Sequence, residues 1–521
     1  MADSNGDNGE RQTAWYMVGR HGLKLLIVGL SAACGLVVEI VAGRMIAPYL
    51  GMSLYTWTAV IAVVLAGFSV GHLIGGHLAE RPSTAAVRGV AWSLVLAGLS
   101  TAASLILIRV AAPAIIAMQW PAVPTVLSIT LLLFFLPSLF VGIPSPVLTK
   151  LAVEEDTPAR AGRSIGALYA VGAFGSIAGT LAAGFLFISY LGTTLTLLCV
   201  AAVYGALAAV LFFYRTPGRV KVGTKAALLT VLGVVIIGFW GQHVRAFVDP
   251  CLVGSSYYCI RVIDVSGHHD SPARAMVLDH LGHGVNLRDH PQRLVSPYVE
   301  LHDILARIHS GRRSPFRVFF VGGGAYTLPR AWLSARPDSK LTVAEIDPAV
   351  TRTALDNLWL KRSDRLETIH RDARIVLQKT PQAHFDVVVG DAFHDIVIPQ
   401  HLVTNEFFRL VASRLRADGI YLMNVVDHRR RPRLVLSIFR TMQSHFKQTE
   451  IWLSNETGAR STFVLAGVER PTPREQLRSQ ISPGVVFRRW HDNDVRRMTE
   501  RLAPIVLTDD FAPVDRLIGV E

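Results

Sequence analysis

A chain of 521 residues would make about two to four soluble domains. Its hydrophobic fraction is 51% and its charged fraction 17%, against roughly 25% charged in an ordinary globular chain. The 4 cysteines and a mean hydropathy of +0.37 exclude disulfide-scaffold, collagen-like and disordered classes. The net charge of +13 is shared by both halves, with no basic helix carrying interleaved aromatics. Basic loops beside anionic lipid headgroups account for it, and no nucleic-acid partner is expected.

Ionisable residues are sparse from Leu25 to Trp240 and recur every few residues after Asp249. That pattern predicts a membrane half joined to a water-soluble half. The first 20 residues are polar and lack a signal-peptide cleavage pattern, so a tail over 1–22 is expected, followed by a membrane domain over 23–248. Seven segments have roughly the 20 apolar residues a bilayer crossing needs: 24–43, 55–79, 89–108, 123–147, 165–190, 194–214 and 226–243. The last decides between six and seven spans. The fifth carries Gly175 and Gly179 in small-xxx-small spacing, a packing face that points to helix packing within the chain ahead of dimerisation.

Cationic residues favour one set of loops: Arg11, Arg20 and Lys24, then Arg81 and Arg88, Lys150, Arg160 and Arg163, then Arg215, Arg219, Lys221 and Lys225. The alternate loops hold only Arg44 and Arg109. The positive-inside rule then puts the amino terminus of a multi-pass membrane protein in the cytoplasm. Six spans would keep the soluble half inside, and seven would put it outside. Glu39, His72 and His77 fall within spans, where a structural pair or an interhelical hydrogen bond is favoured over a transport path.

The soluble half opens with antiparallel strands over 255–287 and a helix, PYVELHDILARIH, giving a small β-domain and entry helix over 249–300. Regular β/α alternation follows over 301–521: FRVFFVGGG, LTVAEIDP, LETIHRDA, FDVVVGDAF and GIYLMNVVD as strands, with helices between. This predicts a mostly parallel, doubly wound Rossmann-like sheet of the class I methyltransferase type. Ligands of such sheets bind at the carboxyl ends of the strands. There stand the turn Gly322-Gly323-Gly324, Glu345 (21 residues beyond Gly324, spaced for ribose hydroxyls), Asp372 (for an exocyclic adenine amine) and Asp391. Neither a GxGxxG nor a GxxxxGK[ST] motif is present, which argues against dinucleotides and nucleotide triphosphates. No Cys/His cluster has metal-ligand spacing. Cys251 and Cys259, eight residues apart, could form a disulfide outside the cell and should stay reduced inside, and their spacing alone does not distinguish a pair from coincidence.

VGGGAYTLPR, VAEIDPAV, RDA and VVVGDAF resemble the motifs of the spermidine synthases, the polyamine aminopropyltransferases, from about Tyr257 to Leu465. EIVAGRMIAPYLG, GFSVGHLIGGHLAE and GAFGSIAGTLAAGF are similar to a multi-pass bacterial group carrying this domain at the carboxyl end. The resemblance implies transfer of an aminopropyl group from decarboxylated S-adenosylmethionine, a co-substrate, to putrescine or a related polyamine. It implies no prosthetic group, and an oligomer is usual in the family. By motif match Asp391 is the proton acceptor, Glu345 holds ribose, Asp372 and Ala373 hold adenine, Tyr298 holds the substrate amine, and Tyr258 contacts the nucleoside.

The chain also departs from that pattern. Ala325 replaces an Asp that binds the donor's amine, Val299 replaces a His or Gln, and the acidic gate reads Asp391-Ala-Phe-His-Asp395. His394 and Asp395 are the candidates to compensate. Two alternatives stay open: a transferase using intact S-adenosylmethionine, and a non-enzymatic polyamine sensor or transporter.

Overall fold

The computed structural model describes residues 6–214, 220–311, 313–393 and 398–518, with side chains described over 21–212 and from 228 onwards within those ranges. His394 and Asp395, and the side chains of Arg11, Arg20, Arg215, Arg219, Lys221 and Lys225, lie outside the described residues. The chain divides into two compact units, Met1–Pro250 and Cys251–Glu521.

The first unit is helical: α1 (Gly6–Leu50), α2 (Leu54–Ala79), α3 (Ser83–Ala117), α4 (Ala122–Gly142), α5 (Pro144–Glu155), α6 (Ala161–Ala182), α7 (Ile188–Tyr214) and α8 (Val220–His243). Among the described residues five stretches are long and apolar enough to cross a membrane: His21–Leu50, Leu54–Ala79, Ser83–Ala117, Ala122–Glu155 and Pro158–Phe212. The last, of 55 residues, is broken at Gly192 (φ 74°, ψ 176°) and therefore contains two of the segments read from sequence. Leu228–His243, the seventh, is apolar but shorter. The fourth segment does not run through 123–147 as one helix; α4 gives way to α5 at Gly142–Pro144, where a proline removes a backbone donor.

Small residues decide how these helices pack. A Cβ on Gly175 would sit 2.2 Å from the Gly29 carbonyl oxygen, and one on Gly179 2.2 Å from that of Ala33. The face of α6 with this spacing therefore lies directly on α1, within the chain. Lys24 pairs with Glu155 Oε2 at 2.6 Å and donates to the Leu151 carbonyl at 3.0 Å, tying α1 to α5. His77 Nδ1 stands 2.9 Å from the Leu73 carbonyl of its own helix. Phe174, Phe185, Tyr190 and Leu228 are all at least 70% exposed, an apolar surface of the kind lipid covers.

The second unit opens with β1 (Val253–Gly254), β2 (Cys259–Asp264), β3 (Ala273–Leu278) and β4 (Leu281–Leu287), an antiparallel sheet in that order. The stretch 273–287 is a hairpin turning at Asp279-His280, with Asp279 at φ 53°. A disulfide joins Cys251 to Cys259 beside the β1–β2 pair. Then follow α9 (Pro297–Ser310), β5 (Phe316–Val321), α10 (Thr327–Ala335), β6 (Ser339–Ala344), α11 (Pro348–Asn357), β7 (Leu366–Ile369), α12 (Ala373–Lys379), β8 (Phe385–Gly390), α13 (Asn405–Arg414), β9 (Leu415–His428), α14 (Arg433–Met442), β10 (Gln448–Ser454), β11 (Arg460–Val468), β12 (Gln476–Arg478), β13 (Val486–Arg489), α15 (Asp492–Leu502) and α16 (Val514–Leu517).

The large sheet has the order β12-β13-β10-β11-β9-β8-β5-β6-β7. Only β9-β8-β5-β6-β7 is parallel; the strands from β11 outwards pair antiparallel. The expected mostly parallel sheet is therefore a mixed one. Its central strands β5 and β8 are buried on both faces, which is why they read as continuous apolar runs. Val318 and Phe320 face one cluster with Leu301, Leu305 and Trp332, while Phe319 and Val321 face another with Phe407, Phe408 and Leu436. The small sheet shares the first core through Ile260 and Met276.

Candidate active site

The chain leaves β5 towards β6 and β7, then returns to the other side of β5 as β8, so the order reverses between β5 and β8. Loops diverge at such a switch point and leave a crevice beyond the strand ends. Backbone bonds just past the strands hold its floor level. Gly322 N donates to Ala344 O at 2.9 Å, Glu345 N to Ile369 O at 3.1 Å, and Asp391 N to Val321 O at 3.0 Å.

The glycine turn is required here. Gly322 has φ 93°, and a Cβ on it would lie 2.6 Å from the Asp391 carbonyl oxygen, so the β5 and β8 ends touch only because no side chain intervenes. Glu345 locks the turn from beneath. Its Oε2 accepts from Gly323 N at 2.8 Å and its Oε1 from Asp347 N at 2.9 Å. Burial raises its pKa, against the pull of those backbone donors. Each carboxylate oxygen keeps a lone pair for a ligand hydroxyl.

Asp372 is a helix cap as well as a wall of the cleft. Strand β7 stops at Ile369, and Asp372 Oδ1 accepts from Arg374 N at 2.9 Å and Ile375 N at 3.2 Å. Its Oδ2 lies 2.7 Å from His401 Nε2. That histidine bond lowers the Asp372 pKa, with burial opposing.

The cleft gathers Tyr258, Gly322, Gly324, Glu345, Asp372, Ala373 and Asp391, with apolar walls from Ile346, Phe393 and Leu402. Gly323 and Tyr298 line an adjoining chamber instead, together with Asp391. Tyr258 donates its hydroxyl to the Phe393 carbonyl at 3.0 Å, bracing the loop after β8. Asp391, at the junction, has its pKa raised to about 6 by burial, against a hydrogen bond from Asn424. Burial and then the Asp391 charge push the Tyr298 hydroxyl well above its ordinary value, so it stays a neutral donor.

Sequence reasoning missed His401, His283 and His302. His401 meets Asp372 across 29 residues of chain, and no local spacing announces that. His302 is four residues after Tyr298 on α9 and meets its ring edge-on at 5.9 Å; the helical i,i+4 spacing was the available signal. Asp427, a further strand-end acid, is structural: it accepts from Leu434 N and Val435 N at 2.9 and 3.0 Å and caps α14. Among the described residues no cluster of three metal-ligating side chains occurs.

Residues 308–456 match the spermine/spermidine synthase domain. Polyamine aminopropyltransferase 1 of Streptomyces coelicolor is 26% identical over 486 residues, covering 88% of this chain and 86% of that protein. Polyamine aminopropyltransferase 2 of the same organism is 24% identical over 462 residues, covering 82% and 77%. A probable spermidine synthase from Corynebacterium glutamicum has a crystal structure that covers 49% of this chain and 95% of its own, at 21% identity and a TM-score of 0.42. The Streptomyces alignments are too long to be confined to either unit, and the domain match falls on the glycine turn and the strand-end acids. The match to the spermine/spermidine synthase domain thus lies within the carboxyl-terminal unit, which follows a unit of apolar helices in the chain.

Proposed function

We propose that this chain is a membrane-bound polyamine aminopropyltransferase that uses decarboxylated S-adenosylmethionine as donor and putrescine or a related amine as acceptor. The observation that carries the reading is Asp391, a carboxylate with a pKa raised to about 6 at the junction of the nucleoside-sized cleft and the Tyr298 chamber. In this reading the nucleoside lies across the glycine turn, its ribose hydroxyls on Glu345 and its base between Ile346 and Leu402, near Asp372 and Ala373.

An alkyl amine with a pKa near 10 is almost wholly protonated at pH 7 and is then no nucleophile. Asp391 takes one proton from the bound ammonium. The freed lone pair forms the new N–C bond while the C–S pair withdraws onto sulfur, so the sulfonium leaves as neutral methylthioadenosine. Tyr298 orients the attacking amine, and holding both partners in line supplies much of the rate. The amino-terminal unit anchors the enzyme in a bacterial cell membrane with its amino terminus in the cytoplasm.

The test is methylthioadenosine release by the whole chain in detergent, given decarboxylated donor and putrescine. Turnover is expected, with a fall of about 10²–10⁴-fold in Asp391→Asn. Turnover with intact S-adenosylmethionine alone, or binding of spermidine with no nucleoside bound, would overturn the reading.

A further inference from the structure

Cys251 and Cys259, 8 positions apart, close a loop through their disulfide. Inside it β1 adds only two residues to the ladder, Val253 opposite Ile260 and Gly254 opposite Cys259. Leu252 N donates to Ile260 O at 2.8 Å, and Ser255 N to Tyr258 O at 2.9 Å. A two-stranded ribbon this short is marginal by itself. The β2 leg has a further anchor, since Cys259 N donates to Asp279 Oδ1 at 2.9 Å. The β1 leg depends on the disulfide, which removes the freedom the open loop would have. The turn Ser255-Ser256-Tyr257-Tyr258 therefore sits at the end of a stapled ribbon.

That turn touches two separate walls of the cleft. Ser255 Oγ accepts from Tyr257 N at 3.0 Å and Tyr258 N at 2.9 Å, and donates to Asp347 Oδ2. Asp347 is buried, its Oδ1 accepts from Ala349 N at 2.9 Å, and its N donates to Glu345 Oε1 at 2.9 Å. Ser255 is thus two hydrogen bonds away from the acid at the end of β6. Tyr258 lines the cleft itself and donates to the Phe393 carbonyl at 3.0 Å, in the loop after β8. The turn bridges the β6 end and the β8 loop, and Glu345 and Phe393 both line the cleft.

We propose that the Cys251–Cys259 disulfide is a redox-controlled clamp that positions Ser255 and Tyr258 and so sets the affinity of the cleft for a nucleoside. The inference rests on the reading of the cleft as a nucleoside site and adds a control to it. Reduction by a dithiol breaks the S–S bond. The dithiol supplies two electrons and two protons, becomes a disulfide itself, and leaves Cys251 and Cys259 as thiols. The β1 leg then samples other positions, and only molecules with both contacts in place bind tightly. Ser255 and Tyr258 act through the cleft walls and not on the proton that Asp391 takes, so the clamp acts on nucleoside binding and leaves the chemical step alone.

The test is calorimetric titration of methylthioadenosine into the full chain in detergent, first oxidised, then reduced with dithiothreitol, then reoxidised. If one reduced molecule in about ten holds the turn in place, affinity falls about tenfold on reduction, and reoxidation restores it. Cys251→Ser is expected to bind at the reduced affinity with or without dithiothreitol. Ser255→Ala, which cuts the bond to Asp347, should weaken the oxidised chain by about tenfold, the worth of one hydrogen bond to a charged group. In turnover, reduction should raise KM for the donor and leave kcat within about twofold, as a loss of uniform binding does. Unchanged methylthioadenosine affinity on reduction overturns the clamp. So does an equal response to dithiothreitol in Cys251→Ser, or a fall in kcat at constant KM. An oxidised wild-type chain that binds no methylthioadenosine overturns the nucleoside reading of the cleft, and the clamp with it.

Discussion

Single carboxylates at the ends of β6 and β8 and at the cap of α12 are not equivalent, and their surroundings sort them. Glu345 and Asp372 have both oxygens engaged by the protein, so they are fixed acceptors. Burial raises the Asp391 pKa to about 6 with only the Asn424 hydrogen bond against it, so among the acids that line the cleft it is suited to change charge near neutrality. The sign follows directly. Its basic form prevails above about pH 6 and is lost below it. The acid limb of kcat/KM should therefore bend near pH 6, falling about tenfold per unit below that. In Asp391→Asn the residual rate should lose that bend. A wild-type limb that breaks near pH 4 would assign the base to a less buried group.

At the scale of elements, close backbone approach is what the small residues provide. Gly179 stands against the Ala33 carbonyl, 2.2 Å from where a Cβ would be, whereas Gly166 and Gly184 have nothing within 4 Å. Gly179→Leu should separate α1 from α6 and cost about 1–3 kcal/mol or more, as overpacking does, seen as a lower unfolding midpoint in detergent. Gly166→Ala should leave that midpoint unchanged or raise it slightly. Equal behaviour of the two variants would move the packing face elsewhere. The spacing of the glycines was readable from sequence. Which helix they meet was not, because α1 precedes α6 by more than a hundred residues and small-xxx-small faces carry no address.

For the molecule as a whole, the four cysteines give a direct measurement. Cys251 and Cys259 are bonded to each other, while Cys34 and Cys199 are free. Denatured without reductant, the purified chain should take up maleimide at two thiols, and at four after reduction. Four reactive thiols at the outset would mean that the carboxyl-terminal unit resides where thiols stay reduced. Alkaline phosphatase and green fluorescent protein fused after Glu521 report the same side independently. The expectation is that thiol count and reporters agree: two thiols with phosphatase activity, or four with fluorescence.

The sequence by itself determined the division into an apolar helical half and an α/β half, because charge density and hydropathy periods are local properties. It also determined the glycine turn and the acids at successive strand ends, since β/α alternation forces such residues onto one edge of a sheet. Tertiary structure decided what depends on distant pairing. The sheet is mixed because β10 to β13 return antiparallel, a choice of partner that an apolar run leaves open. Asp372 is paired because His401 arrives from another loop. His283 and His302 line one chamber because β4 and α9 both bring residues beside the Gly322-Gly323 turn. Their neutrality comes from burial, a property of the folded surroundings that no sequence spacing carries.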